Sequence, residues 1–211
     1  MSPTPQILQR GEILVQMEEQ HDFVYAVESG WLCRSRTIPD GRRQIIVVFL
    51  PGEICGIKTI FMQFQPDAIE ALTPASVRRI HYKDVCELAE ENFAVAMHLA
   101  WQLAQDERHL HNWNVRLGRA NAEERLAALL LEMRNRLTAL GINSAAATYG
   151  LPLTQQQLAD HVGLTTVHVN RILRRFRDLG SVVIRNNEVV FLENVQMLED
   201  IARPVQDLVG E

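Results

Sequence analysis

Residues 154–180, TQQQLADHVGLTTVHVNRILRRFRDLG, constrain the fold more than any other stretch. Thr154 is a helix N-cap, and Gln157 three residues on completes a capping box. Leu158, Ala159 and Val162 give a first helix one apolar face. Gly163 then supplies the left-handed conformation at which a helix stops. Thr165 or Thr166 caps a second helix with apolar positions at Val169, Ile172, Leu173 and Phe176. Its opposite face carries His168, Asn170, Arg171, Arg174, Arg175 and Arg177. Two short helices around a glycine turn, the second one basic outside, match a helix-turn-helix whose second helix enters the DNA major groove. A solvated amphipathic helix with incidental arginines is the blander alternative, and the conjunction of turn and basic face favours DNA.

The overall charge of −5 does not oppose this reading, because the distribution decides. Within 166–180, Arg171, Arg174, Arg175 and Arg177 stand against one acid, Asp178. A chain of 211 residues with 47% hydrophobic content can bury a real core and suggests one to two domains. There is no apolar run long enough for a membrane span. The opening MSPTPQILQRGE lacks the pattern of a secretory signal. Cys33, Cys55 and Cys86 are dispersed and odd in number, as expected of a reducing cytoplasm rather than a disulfide framework.

Residues 11–82 read as an all-β domain. Short apolar runs at 12–16, 23–29, 31–36, 44–50, 68–72 and 76–81 alternate with turns at Ser29-Gly30, Pro39-Asp40-Gly41, Pro51-Gly52 and Thr73-Pro74. This spacing predicts a small antiparallel barrel or sandwich. From Asp84 the period changes to helical. A short helix precedes a long one over 91–117, on which Leu99, Leu103, Asp106, Leu110, Trp113 and Leu117 form a heptad seam with one polar interruption. That seam is expected to pair two copies of the chain; packing on its own domain is the alternative. Asn121 and Glu124 form a second capping box for a helix ending at Gly141, and 141–150 reads as a loop. After Gly180, VVIR and VVFL flank Asn186-Asn187, a hairpin turn that makes a wing. Residues 195–209 read as a terminal helix.

In this order the elements resemble the bacterial transcription regulators typified by the cyclic-AMP receptor protein and the fumarate-nitrate reduction regulator. The resemblance rests on Gly11-Glu12, Val24-Tyr25 with Ser29-Gly30, Asp40-Gly41-Arg42, Pro51-Gly52-Glu53 with Gly56, and Leu158-Ala159-Asp160, Gly163 and Asn170-Arg171. It implies an α+β chain with an antiparallel β-roll of the jelly-roll, cyclic-nucleotide-binding-like type (1–90), a dimerisation helix (91–118) and a winged helix-turn-helix domain (119–211). The implied partners are double-stranded DNA, a second copy of the chain and RNA polymerase.

By resemblance, Thr166, Val167 and Arg171 take the places of the main base readers, with His168 and Asn170 beside them. Arg171 has the planar fork that bonds guanine O6 and N7 together. Asn170 suits adenine or a phosphate, and Val167 can touch only a thymine methyl. Thr165, Thr166 and Arg174 suit the DNA backbone. An effector pocket is expected around Gly52, Glu53, Cys55, Gly56, Ile57, Asp67, Ala68, Leu110 and His111. In nucleotide-binding members an Arg-Ser pair holds the phosphate where Asp67-Ala68 stand here, and a small hydroxyl pair takes the place of Leu110-His111. A carboxylate there repels a phosphate, so cyclic AMP is not the expected effector. The scattered cysteines do not suit an iron–sulfur cluster. Haem stays open, because His21, His81, His98, His109 and His111 are present. Cys55 in the pocket turn reads as packing or as a redox switch. No nucleophile–base motif and no metal-ligand spacing points to an enzyme. The contrasting reading is a ligand-binding or interaction module whose winged helix contacts a protein.

Overall fold

The computed structural model describes residues 5–62, 64–142 and 148–206. They form two compact units, Met1–Arg108 and His109–Glu211.

The first unit is built from eight short strands: β1 (Gln6–Leu8), β2 (Ile13–Val15), β3 (Phe23–Ser29), β4 (Leu32–Thr37), β5 (Arg43–Phe49), β6 (Ile54–Cys55), β7 (Ala68–Ala71) and β8 (Ala75–His81). They pair antiparallel into two four-stranded sheets, ordered β1-β8-β3-β6 and β2-β7-β4-β5. Alternating residues of both sheets, among them Leu8, Tyr25, Val27, Leu32, Phe49 and Val77, bury a common apolar core. The expected β-roll is therefore present. Strands β1 and β6 carry three and two residues, too few for a period-2 pattern to register in the sequence. Gly30 joins β3 to β4 at φ +77°, where an added Cβ would stand 2.3 Å from the Pro74 carbonyl oxygen. Only glycine lets the two turns approach this closely.

Helix α1 (Tyr82–Glu91) follows, its first turn capped by His81, whose Nδ1 accepts from the Lys83 N–H at 3.2 Å. Helix α2 (Phe93–Arg119) is one continuous helix, and the boundary between the two units falls within it.

The second unit opens, beyond α2, with α3 (Ala122–Ala139). Asn121 Oδ1 accepts from the Glu123 and Glu124 N–H groups, and Glu124 closes the capping box. Strand β9 (Thr148–Gly150), α4 (Gln155–Val162), α5 (Thr166–Asp178), β10 (Val182–Arg185), β11 (Glu188–Phe191) and α6 (Val195–Ala202) complete it. The expected loop 141–150 ends in β9, which pairs with β11, while residues 143–147 lie outside the described residues. Strand β9 is fixed from outside its own sequence: the Tyr149 hydroxyl donates to the Leu130 carbonyl at 2.7 Å. The terminal helix is shorter than 195–209. It gives way to a 3-10 turn at Arg203–Val205, and residues 207–211 lie outside the described residues.

Candidate nucleic-acid interface and the cavity of the β-domain

Both caps read from the sequence hold α4 and α5 in place. The Gln157 N–H donates to Thr154 Oγ1 at 3.1 Å, and the Thr154 N–H donates to Gln157 Oε1 at 2.8 Å. Gly163 ends α4 at φ 66°, ψ 41°, and Thr165 Oγ1 then accepts from the His168 N–H at 3.3 Å to start α5. Arg125 of α3 donates to the Val162 carbonyl at 3.0 Å, tying the turn to the rest of the unit.

Val169, Ile172 and Phe176 sink into the core, which leaves the opposite face of α5 in solvent. Val167 is 78% exposed, and Thr165, Asn170, Arg171, Arg174, Arg175 and Arg177 are exposed with it. Thr166 and His168 are half-buried. Arg175 is engaged with Glu123 at 2.7 Å and Arg177 with Asp178 at 3.1 Å. Among the described residues, Arg171 and Arg174 have no acceptor and present their guanidinium groups unpaired. Asn186 and Asn187, at φ 50° and 62°, make the tight wing turn between β10 and β11. Asn170, Arg174 and Arg177 share a groove of about 530 Å³ with Gln155, Asn186 and Asn187. Asn170 and Arg174 thus face the wing, and Val167 and Arg171, one turn apart, occupy the neighbouring strip of the same exposed face.

The first unit holds a different candidate. A cavity of about 10 Å³, room for one water-sized group, is lined by Cys55, Gly56 and Ile57 together with Arg34, Lys58, Gln65, Leu103 and Asp106. Asp67 borders it through its ion pairs. Gly52 and Glu53 instead build the turn before β6: the Gly52 N–H donates to Val27, and Glu53 Oε2 accepts from the Leu50 N–H. Ala68 pairs with Ser35 in the sheet, and Leu110 and His111 belong to the second unit. Sequence reasoning missed Arg34, Lys58 and Gln65. The available signal was Arg34 itself, an arginine two residues from Leu32 on β4 and hence on the strand's inward side. Burial pushes the Cys55 thiol up to about 12 and the Asp106 carboxyl above its usual range, and it lowers the Lys58 ammonium. A thiol so placed is packing, with little thiolate to react. A nucleotide needs roughly 300 Å³ or more. At about 10 Å³ the space present is too small for a cyclic nucleotide.

Part of the predicted seam on α2 packs within the chain, and of its six residues only Trp113 is fully buried. Leu99 and Leu103 pack against Val24, Ile57 and Val85 of the first unit, and Asp106 faces Arg34. In the second unit Trp113 is buried, its ring stacked on His161 at 4.5 Å with the Arg116 guanidinium 5.0 Å from its centroid. Leu110 is half-buried and Leu117 exposed. A second apolar stripe, Phe93, Met97, Trp101 and Val115, points outward, with Trp101 55% exposed. The helix is apolar on two faces, and periodicity along one strip does not say which strip the chain keeps for itself.

Of the histidines that left haem open, four have local roles. His21 stacks on Tyr25, His98 on Trp101, His109 lies 3.4 Å from Glu132, and His81 caps α1. Among the described residues no group of three or more His, Cys, Asp or Glu is placed to hold a metal ion, and no helix is long and apolar enough to cross a membrane.

Comparison with known proteins bears on both sites. Residues 5–92 match the family model of the cyclic nucleotide-binding domain, and residues 124–201 that of the Crp-like helix-turn-helix domain. The chain is 32% identical over 185 residues to the nitrogen fixation regulation protein FixK of Bradyrhizobium diazoefficiens, covering 87% of this chain and 76% of that one. It is 27% identical over 190 residues to the transcriptional activator protein Anr of Pseudomonas protegens, covering 90% and 77%. The solved structure of FixK2 from Bradyrhizobium japonicum aligns over 100% of both chains with a TM-score of 0.86 at 28% identity.

Proposed function

The chain belongs to the Crp/Fnr family of transcription regulators, and from that premise we propose that it acts as a cytoplasmic homodimer on a two-fold DNA site. It is a DNA-binding regulator rather than an enzyme. The finer assignment is carried by one observation: the outer face of α5 presents Arg171 and Arg174 exposed and unpaired among the described residues. Arg171 reads a guanine through both of its forked donors, Val167 meets a thymine methyl, and Thr165, Thr166 and Arg174 hold the phosphates. His168 and Asn170 supply polar contacts beside them.

Within this proposal 1–90 is the input domain, 91–118 the dimerisation helix and 119–211 the DNA-binding domain. The two copies pair along the outward stripe of α2, Phe93, Met97, Trp101 and Val115, which places half-sites roughly one helical turn, about 34 Å, apart. RNA polymerase is the further partner. Selection from random duplexes tests the reading. A two-fold consensus is the expected result. Recovery of no motif, or binding indifferent to salt, overturns it, because phosphate contacts make affinity fall steeply with ionic strength.

A further inference from the structure

The cavity of the β-domain is small because the chain fills it with its own charges. One oxygen of Asp67 accepts from Arg36, with Nε at 2.9 Å and Nη2 at 2.8 Å. The other lies 3.4 Å from Lys58 Nζ and 3.8 Å from Arg34 Nε. Arg34 is only 6% exposed and Asp67 4%. Three cations from β4 and the 3-10 turn Ile57–Ile60 therefore converge on one buried carboxylate. On its far side the Arg34 guanidinium stands 3.8 Å, through Nη1, from Asp106 of α2. Arg34 Nε and Gln65 Nε2, both on residues that line the cavity, are buried donors with no acceptor within hydrogen-bond reach. A site of clustered donors around one negative group is the construction used to bind a small anion.

We propose that Asp67 is a tethered ligand: its carboxylate occupies an anion site made by Arg34, Arg36 and Lys58, and Arg34 passes that occupancy to Asp106 on α2. The input domain is then liganded from within and needs no diffusible nucleotide. Arg34 sits between the two carboxylates and senses the charge of one while holding the other. Loss of the Asp67 charge leaves two buried or half-buried cations, Arg34 and Lys58, facing each other across the cavity, with Asp106 shared between them. Helix α2 is the element through which this reaches DNA binding, since it runs on without a break past Arg108. The inference goes beyond the DNA-binding reading, and thermal stability reports on it independently.

Chemical rescue tests it on the full chain. Purified wild-type protein is expected to bind its selected duplex with no change in affinity on adding cyclic AMP. Asp67→Ala is expected to lower the unfolding midpoint and to weaken DNA binding about tenfold, within the usual range of coupling between sites. Sodium formate at constant ionic strength should restore both in a saturable way, and acetamide or extra chloride should not. Asp67→Asn keeps the shape and removes the charge; its midpoint and DNA affinity are expected to fall as those of the alanine variant do before formate is added, and it serves where alanine does not fold. The proposal is overturned if Asp67→Asn matches the wild type in midpoint and DNA affinity. It is overturned equally if formate restores no more than chloride, or if cyclic AMP saturably strengthens DNA binding by the wild type.

Discussion

The Arg175 guanidinium donates to the Glu123 carboxylate over 2.7 Å, fastening α5 to the first turn of α3. This contact sorts the basic face of α5. Arg175 holds the helix in place, while Arg171 and Arg174, with no acceptor among the described residues, remain for DNA. Both members of the Arg175–Glu123 pair have solvent access, so Arg175→Ala should cost only about 0.2–1 kcal/mol in denaturant unfolding.

Arg171 and Arg174 should differ in kind. Arg171→Ala is expected to lose about 1–3 kcal/mol at one base pair and to relax the preference there. Arg174→Ala should weaken all duplexes alike and reduce the salt slope by about one. Affinities for a panel of single-base variants, measured at several salt concentrations, separate the two. Equal loss on every duplex for Arg171→Ala would refute its role as a reader.

The two faces of α2 make opposite predictions. Trp101→Glu on the outward stripe should leave the unfolding midpoint of the monomer nearly unchanged but shift sedimentation from dimer to monomer. Leu103→Ala removes side-chain packing from the cluster of Val24, Ile57 and Val85. It should cost about 1–3 kcal/mol of stability with the dimer intact at low denaturant.

Gly30→Ala should be among the most damaging exchanges in the first unit. The backbone is held at φ +77°, and the new methyl would meet the Pro74 carbonyl oxygen at 2.3 Å and Ala75 Cα at 2.6 Å. Neither neighbour is a flexible side-chain end. A loss of about 2 kcal/mol or more in denaturant unfolding is expected.

His21 sets a pH dependence. Burial lowers its imidazole below the ordinary 6.5, and this outweighs the Phe23 backbone and Asp22, which act the other way. The unfolded chain therefore takes up this proton first as pH falls, and folding loses stability below about pH 6.5 until folded His21 protonates too. His21→Phe keeps a ring beside Tyr25 but cannot titrate. The stability of the wild type relative to this variant should fall as pH is lowered from about 7.5 to 5; a constant difference would remove His21 as the cause.

Local features were legible in the sequence wherever the cause was local. The capping boxes at Thr154 and Asn121, the glycine stop at Gly163 and the Asn186-Asn187 turn all form as their residues dictate, because each needs only hydrogen bonds or dihedral angles within a few positions. The short apolar runs that became β3 and β8 and the amphipathic period of α5 were equally plain. Strand β9 was not, because its pairing with β11 and the Tyr149 bond to Leu130 come from distant parts of the chain.

By itself, then, the sequence determined the order of the longer elements, the basic face of α5 and, through the family resemblance, the charge inversion at Asp67. Tertiary structure alone decided what those charges meet. Asp67 reads in sequence as a carboxylate that repels an anion. Folding brings Arg34, Arg36 and Lys58 onto it and makes it the anion in the site. The same holds for α2, where both strips are apolar and the β-domain takes Leu99 and Leu103. Which strip is left facing solvent depends on contacts between residues far apart in the chain. Periodicity along a single helix carries no information about those contacts.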